Sequence, residues 1–370
     1  MKKSELNTPA ALLDLDVLER NISSFQNLAD RSGKRMWPMT KTHKSTAIAL
    51  KQQKAGASGF ICGTLDECEA LRRAGIANIM YAYPTAAGPS LRRMVELAQS
   101  GPFIFRLDGG AQAREINEAA GAAGVKLGYT AIVDCGFHRF GLAPEFIPGL
   151  ARELADLPNL IFKGISTHPG QAYAGAGLST VEAAAADERR ALVEAEKRLA
   201  EAGFNCEMVS SGSTPTFAKA AEIEKLTHLH PGNYVFKDLI QVSLEAAALE
   251  DCALSMLATV IARPAPDRML IDAGAKCLGL DQGGHGADTV NGYGHIKGHP
   301  GLEIYGLSEE VGKVRVQPDT RLKVGDRVEI IPNHSCSAAN LSSYYFGCRG
   351  DRVEDIIAVD IRGNSTTNGA

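Results

Sequence analysis

The chain has 370 residues, of which 45 % are hydrophobic and 22 % are charged, as in ordinary globular proteins. Its formal net charge of -4 gives no electrostatic reason to expect nucleic acid or an anionic membrane as a partner. No apolar run approaches the length of a membrane span, and the first residues lack the apolar core of a signal peptide. We therefore expect a cytoplasmic protein, and the length predicts one large and one smaller domain.

The eight cysteines are scattered along the chain and form no C-x-x-C pair. This pattern is typical of reduced cytosolic thiols rather than of a disulfide framework. A cysteine with a chemical role must therefore be recognised from its neighbours.

The first predicted elements are a short strand and a long helix. Residues 8–16 combine an apolar run with a helix start, and Asp16 is the expected N-cap of a helix over 17–29. Short apolar runs then alternate with longer helical segments, many of which end near glycine. The predicted strands cover 36–40, 59–62, 78–81, 103–107, 126–133, 160–166, 206–210 and 228–230. The predicted helices between them include 46–55, 64–74, 89–99, 111–123 and 179–202.

Eight strands that alternate with helices predict an α/β fold with an N-terminal (β/α)8, TIM-like barrel. The alternative is an open doubly wound sheet, but the G-x-G-x-x-G turn that often follows its first strand is absent. After residue 250, short β-like runs lie between Gly, Pro and Asp turns. We therefore predict a barrel over 15–245 and a mostly-β domain formed by 1–14 and 246–370. Its predicted strands cover 253–262, 268–272, 302–306, 312–316, 327–331, 343–348 and 355–359.

The chemistry of a (β/α)8 barrel lies at the carboxyl ends of its strands. Lys41 follows the first predicted strand, in a stretch that also holds His43 and Lys44. A lysine at this place is suited to forming an imine with a carbonyl group. The sequence therefore makes Lys41 the candidate catalytic residue.

The segments after the seventh and eighth strands are rich in glycine and hydroxyl groups. Such loops are often plain turns, but in barrels they commonly bind phosphate through backbone N–H groups and hydroxyls. A phosphate site together with Lys41 predicts pyridoxal 5'-phosphate, with Arg139 near its phenolic oxygen. The predicted phosphate-side residues are Ser211, Gly212, Ser213, Thr214, Gly232, Asn233 and Tyr234.

Seven short segments of the chain, in their order and spacing, resemble the fold-type III, alanine racemase-like pyridoxal phosphate enzymes, specifically the D-serine dehydratase and D-threonine aldolase group. The resemblance covers essentially the whole chain. It implies that the imine forms on Lys41, that Lys44 is a structural or phosphate-side neighbour, and that Tyr173 approaches the cofactor ring. Lys276 is a rival lysine, placed in the second domain. The segments that carry the resemblance are 8–10, 41–44, 134–141, 212–216, 230–236, 272–276 and 332–336.

His334 and Cys336 form a candidate metal site. Residues at i and i+2 of an extended segment point to the same side, and imidazole with thiolate favours zinc or a similar borderline metal. An isolated H-x-C is usually accidental, but the resemblance implies a divalent metal here, close enough to bind a substrate β-hydroxyl. Zn2+ is favoured, with Mn2+ or Mg2+ as alternatives. D-serine dehydratases resemble this His-x-Cys form, whereas D-threonine aldolases more often have His-x-Asp.

The resemblance therefore implies a lyase that acts on small D-configured β-hydroxy-α-amino acids, with a dehydratase that releases a 2-oxo acid and ammonia favoured. A retro-aldol cleavage to glycine and an aldehyde is the alternative, and an amino-acid racemase is a further one. A non-enzymatic cofactor-homeostasis protein is disfavoured, because proteins of that kind are typically single barrels. The resemblance also implies a homodimer with a composite active site.

The sequence departs from this family next to the lysine. The family has Arg-Pro-His-x-Lys, whereas this chain has Trp37 and Met39 in place of the Arg and the His. Val311 replaces a family histidine, and His138 occupies a position that is often small or polar. We expect Trp37 and Met39 to influence substrate preference, with a bulkier or more apolar substrate as one outcome.

Overall fold

The computed structural model describes residues 1–85, 88–317 and 319–363; positions 364–370 of the predicted β domain lie outside them. None of the described helices is both long enough and apolar enough to cross a membrane. The strands are β1 (Ala10–Asp14), β2 (Arg35–Met36), β3 (Phe60–Cys62), β4 (Ile79–Tyr81), β5 (Phe103–Leu107), β6 (Leu127–Ile132), β7 (Leu160–Ser166), β8 (Met208–Ser211), β9 (His228–Leu229), β10 (Leu254–Ala265), β11 (Arg268–Ile271), β12 (His295–Ile296), β13 (Glu303–Leu307), β14 (Gly312–Arg315), β15 (Arg327–Ile331), β16 (Tyr344–Arg349) and β17 (Arg352–Ala358). The α-helices are α1 (Leu15–Arg31), α2 (Thr46–Lys54), α3 (Leu65–Arg73), α4 (Gly88–Gln99), α5 (Gly110–Ala122), α6 (Ile147–Ala155), α7 (Leu178–Glu201), α8 (Phe217–Ala221), α9 (Leu239–Ser243), α10 (Ala275–Leu278) and α11 (Ser335–Asn340).

Strands β2 to β9 form an eight-stranded parallel sheet in the order β2-β9-β8-β7-β6-β5-β4-β3. The two end strands meet where the Ile61 N–H donates to the Pro38 carbonyl at 2.9 Å. The sheet therefore closes on itself, and the prediction of a TIM-like barrel is confirmed. All six residues of β6 are buried, as expected for a parallel strand covered by helices outside and by barrel side chains inside.

The first helix begins earlier than predicted. Its N-cap is Asp14, whose carboxylate accepts a hydrogen bond from the Val17 N–H at 3.0 Å, so the prediction of Asp16 as the cap was wrong. Asp14 ends β1 with an extended backbone, which is the conformation of an N-cap. Asp16 lies in the first turn, where a negative charge is favourable, and pairs with Arg349.

The second sheet has nine strands, seven of them in the order β13-β14-β11-β10-β1-β16-β17, with β15 paired to both β10 and β12. The N-terminal strand β1 is antiparallel to β10 and parallel to β16. The expectation of a mostly-β second domain is confirmed, and it includes β12, which the sequence did not indicate. The predicted domain limits of 14/15 and 245/246 stay predictions.

The second sheet is attached to the mouth of the barrel beside Lys41. The hydroxyl of Tyr345 on β16 donates to the His43 carbonyl at 2.9 Å, and the Ile361 N–H donates to the Lys44 carbonyl at 3.1 Å. The segment after β9 is bonded in the same way to the residues that precede α11. These contacts place side chains of both sheets around one space.

Candidate active site

A cavity of about 480 Å³ lies at the carboxyl ends of the barrel strands, beneath the second sheet. It brings together residues from distant parts of the chain, among them Lys41 and Cys336, which are 295 positions apart. The predicted site residues that line it are Lys41, Arg139, Tyr173, Gly212, Ser213, Thr214, Gly232, Asn233, His334 and Cys336.

Two predicted cofactor contacts point elsewhere. The buried Ser211 hydroxyl donates to the carboxylate of Glu188 behind β8. The Tyr234 hydroxyl accepts a hydrogen bond from the Gln52 amide at 2.8 Å, and its ring stacks on Phe25. Neither residue lines the cavity. The sequence did not predict this, because the direction of side chains at a strand end cannot be read from a Gly-rich sequence.

Lys41 lies in a single 3-10 turn, Thr40–Thr42, that follows β2. Its neighbour Lys44 donates to the buried Glu67 carboxylate at 2.6 Å, and the same carboxylate accepts from the Thr40 hydroxyl at 2.6 Å and from the Gly63 N–H at 2.8 Å. Lys44 is thus tied into the barrel wall. Lys41 borders the cavity and has no carboxylate partner among the described residues.

The loops after β8 and β9 form a close-packed cradle. A Cβ on Gly212 would lie 2.8 Å from the His230 backbone nitrogen, and one on Gly232 would lie 3.2 Å from the Thr42 hydroxyl. The buried Thr214 hydroxyl has no hydrogen-bond partner among the described residues. Small residues that let the backbone approach, with an unsatisfied hydroxyl beside them, fit a phosphate group.

Two arginines add positive charge to the cavity. Arg139 lies against the rings of Phe137 and Phe140, 4.7 Å and 5.2 Å from their centroids. Arg106 on β5 is buried, and its Nε donates to the Ser166 hydroxyl at 2.7 Å. Burial lowers the pKa of Arg106 to about 10, so the guanidinium stays charged at neutral pH. Both favour an anionic ligand.

Three histidines at the cavity are neutral at physiological pH. Burial, followed by the charge of Lys41, holds the pKa of His168 well below its usual range. Burial and then Arg106 lower the pKa of His230 to about 3, and burial and then Lys41 lower that of His285 to about 4. Their imidazoles therefore donate and accept hydrogen bonds without adding charge.

His334 and Cys336 meet at the amino end of α11. The segment is not fully extended as expected, because the Asp238 carboxylate accepts the Ser335 N–H at 2.8 Å and helix α11 begins there. Both side chains still line the cavity, where the imidazole and the thiol are close enough to interact electrostatically.

The two groups shift each other's pKa. Burial raises the pKa of the Cys336 thiol, but the neighbouring His334 outweighs it and leaves that pKa below its ordinary value. Burial lowers the pKa of His334, but Cys336 and then Asp281 outweigh it and raise that pKa well above the usual range. A thiolate beside an imidazole is a donor set that a divalent cation takes in exchange for a proton. Within the described residues no third His, Cys, Asp or Glu completes a metal cluster, which leaves room for water or substrate as further ligands.

Comparison with known proteins identifies the family. The model of the family "Alanine racemase, N-terminal domain" matches residues 13–239, and that of a serine dehydratase domain matches 253–348. D-threo-3-hydroxyaspartate dehydratase of Delftia sp. (strain HT23) is 34 % identical over 350 residues, 90 % of this chain and 91 % of that protein. This chain belongs to the alanine racemase-like, fold-type III family of D-serine dehydratases and D-threonine aldolases.

Solved structures of this family superpose on nearly the whole chain. D-threonine aldolase from Filomicrobium marinum has a TM-score of 0.91 at 27 % identity, with 99 % of this chain and 98 % of that chain covered. A cysteine-to-alanine mutant of D-threo-3-hydroxyaspartate dehydratase in its metal-free form has a TM-score of 0.90 at 32 % identity, with 97 % and 98 % covered.

The positions where this chain departs from the family pattern lie in different surroundings. Trp37 is buried among Ile61, Met80 and Met208 of the barrel strands, and its indole N–H donates to the Ser58 hydroxyl at 3.1 Å. Met39 lines the cavity beside the cradle glycine Gly232. His138 points into solvent and is held by Asp134 at 2.7 Å. Of these three departures, Met39 is the one that lines the cavity.

Sequence reasoning missed several residues that shape the site, among them Arg106, Glu67, Asp281 and His285. Arg106 could have been found from the sequence, because a charged residue inside the apolar run of a barrel strand indicates a polar environment at that position. Glu67 sits in the first turn of α3 and Asp281 and His285 in a second-domain loop, so nothing in the local pattern connects them with Lys41. Their roles depend on long-range packing.

The buried Glu188 should make the stability of the protein depend on pH. It lies on α7, hydrogen-bonded to Ser211 at the end of β8, and burial raises its pKa to about 7, above the ordinary value of 4.5. The folded protein thus retains a proton that the unfolded chain releases above pH 4.5, so this contribution to stability is lost as pH rises through 7.

We expect Glu188→Gln, which cannot ionise, to gain stability relative to wild type as pH rises from 5 to 8. The gain in free energy of unfolding should be about 2–3 kcal/mol, measured by urea denaturation at each pH. Glu182→Gln, an exposed change on the same helix, serves as the control and should show no such trend. A difference between Glu188→Gln and wild type that is constant with pH would show that Glu188 ionises normally.

Proposed function

We propose that this protein is a pyridoxal phosphate- and divalent metal-dependent lyase that acts on D-configured β-hydroxy-α-amino acids. The favoured reaction is a dehydration that releases a 2-oxo acid and ammonia. The observation that carries the proposal is the meeting, in one cavity, of Lys41, the glycine cradle and the His334–Cys336 pair.

The cavity residues fit the cofactor at both of its ends. Lys41 would hold it covalently, and Arg139 would face its phenolic oxygen. When bound, the cofactor supplies an electron-withdrawing ring that acidifies the hydrogen next to the substrate's amine. The phosphate would be held by Gly212, Ser213, Thr214, Gly232 and Asn233.

The Lys41 amine is the base that would remove the proton from the substrate's α-carbon. The 3-10 turn holds it at the cavity wall, while Lys44 is held by Glu67 and does not compete for this place. Neutral His168 and Tyr173 line the same cavity, where they would orient the substrate by hydrogen bonds.

A divalent metal would be held by His334 and Cys336. It would supply Lewis acidity to an oxygen on the substrate's β-carbon. Thiolate with imidazole favours Zn2+ over harder cations such as Mg2+. The metal-free form of the cysteine-to-alanine dehydratase mutant supports a link between a cysteine and metal in this family.

Dehydration is favoured over aldol cleavage because this chain has the His-x-Cys form, and because a dehydratase of Delftia is 34 % identical to it. Aldol cleavage is the second candidate, since a D-threonine aldolase shares the fold at a TM-score of 0.91. A racemase is disfavoured by the metal-binding pair, for which racemisation has no use.

Lys41→Ala should abolish the visible absorbance band of the lysine-bound cofactor while the far-ultraviolet circular dichroism stays that of wild type. The matched control is Lys276→Ala. Lys276 is 66 % exposed and pairs with Glu310 at 2.6 Å outside the cavity, so its removal should leave the band intact. The reverse result, with the band lost only in Lys276→Ala, would move the attachment to Lys276.

Product analysis decides the reaction. We expect D-serine or D-threo-3-hydroxyaspartate to yield ammonia and a 2-oxo acid, and we expect EDTA to remove this activity without removing the cofactor band. Added Zn2+ should restore it. Glycine with an aldehyde would select the aldolase, the L-isomer would select the racemase, and ammonia release that EDTA does not affect would refute the metal.

We also propose that the protein acts as a homodimer with a composite active site. Large apolar side chains are exposed near the cavity, namely Phe140, Leu280 and Leu341 at 40 %, 62 % and 41 %. Exposed apolar groups around a polar cleft are typical of a contact surface. Sedimentation equilibrium should give twice the chain mass of 39.3 kDa, and Leu280→Arg should shift the protein toward monomer. A monomer at micromolar concentration would contradict the proposal.

A further inference from the structure

The loop that follows α10 holds the segment that carries His334. The Asp281 carboxylate is 2.7 Å from His334 Nδ1, and the same oxygen accepts the Ser337 hydroxyl. The Asn333 side-chain amide donates to the Asp281 backbone carbonyl at 3.0 Å. Asp281 is thus bonded to three residues of the short segment 333–337.

The contact with Asp281 determines which nitrogen of His334 binds a ligand. A carboxylate accepts hydrogen bonds and does not donate them when ionised, so Nδ1 carries the hydrogen. The lone pair of the neutral ring is then on Nε2, across the ring from Asp281. That nitrogen is the one available to a cation beside Cys336.

We infer that Asp281 is the positioning residue of the metal centre, because it fixes the tautomer and the orientation of the His334 imidazole for a borderline divalent cation. The inference rests on the metal site of the proposed function. A carboxylate that accepts from the second nitrogen of a metal-binding histidine holds the ring and raises its basicity as a ligand.

An ordinary surface ion pair would not explain the arrangement. Exposed pairs contribute little to stability and have loose geometry, and the side chains of Asp281 and His334 are 41 % and 26 % exposed. Here, however, the backbone and the carboxylate of Asp281 are both engaged by the same segment, and the anchoring Asn333 is buried. Contacts from one segment to both the backbone and the carboxylate fix the position of the Asp281 side chain, which an ordinary surface ion pair would not do.

The metal-binding segment is also held from the barrel side. The buried Asp238 carboxylate accepts the Ser335 N–H at 2.8 Å, and the Thr42 hydroxyl lies 3.2 Å from the Cys336 sulfur. Asp281 is the group that reaches His334 from the opposite side. Without it, His334 keeps its backbone position, but its Nδ1 retains only the longer 3.4 Å contact with the Ser337 hydroxyl, so the ring is held less firmly.

The test compares Zn2+ affinity in the cofactor-loaded full-length protein, measured by competition with a chromophoric chelator. We expect Asp281→Ala to weaken Zn2+ binding by about 10–100-fold. Asp281→Asn keeps an acceptor oxygen without the charge, so its loss should be smaller. Asp288→Asn makes the same charge change at an exposed position further along the loop and should bind Zn2+ like wild type.

Two further measurements separate positioning from general stability. The cofactor absorbance band and the melting temperature of the metal-free protein should be the same in Asp281→Ala and wild type. Unchanged Zn2+ affinity in Asp281→Ala would overturn the inference, as would a loss of affinity fully explained by unfolding. If wild type itself bound no Zn2+, the metal part of the proposed function would fail; normal wild-type binding with normal Asp281→Ala binding would refute the role of Asp281 alone.

Discussion

The carboxylate of Glu67 is the contact on which the site depends most. It is fully buried and accepts from the Lys44 ammonium, the Thr40 hydroxyl and the Gly63 N–H. A buried charge pair adds little net stability, yet removing one partner costs about 3–5 kcal/mol. The Lys44–Glu67 pair instead fixes the position of the backbone around Lys41. Glu67 binds Thr40, at the start of the turn on which Lys41 lies, and Lys44, two residues after its end, where the backbone is left-handed (φ 50°).

A second buried carboxylate, Asp238, joins the two halves of the site. One of its oxygens accepts from the Asn233 amide at 2.7 Å and from the Ser335 N–H at 2.8 Å. Asn233 belongs to the cradle formed by the loops after β8 and β9, and Ser335 lies between the proposed metal ligands of the second domain. A shift of one segment therefore disturbs the other. The proposed lyase would depend on this link, because its cofactor and its metal would have to act on adjacent carbon atoms of one substrate.

The sequence predicted the parts of this arrangement that repeat or lie close together along the chain. Alternating apolar runs located the barrel strands, and the barrel rule placed Lys41 and the two Gly-rich loops at one end. The sequence did not predict the direction of side chains at strand ends. The predicted cofactor contacts therefore included Ser211 and Tyr234, whose side chains point away from the cavity. Nor did it find Glu67 or Asp281, because a carboxylate that acts through a distant partner leaves no local pattern. The early capping by Asp14 was missed because Asp14 and Asp16 are equally good caps by residue type.

Burial, reinforced by the charge distribution, explains why three histidines of the cavity, His168, His230 and His285, are neutral. Lys41, Arg106 and Arg139 bring positive charge to one space without a carboxylate partner in the described chain. A protonated imidazole would add to this charge, so burial and the nearby cations both favour the neutral form. An arginine does not lose its proton near neutral pH. Fixed guanidinium charge would therefore supply the attraction for the phosphate and the amino-acid carboxylate of the proposed function. The histidines remain free to accept or donate single hydrogen bonds, which is the property that orienting a substrate requires.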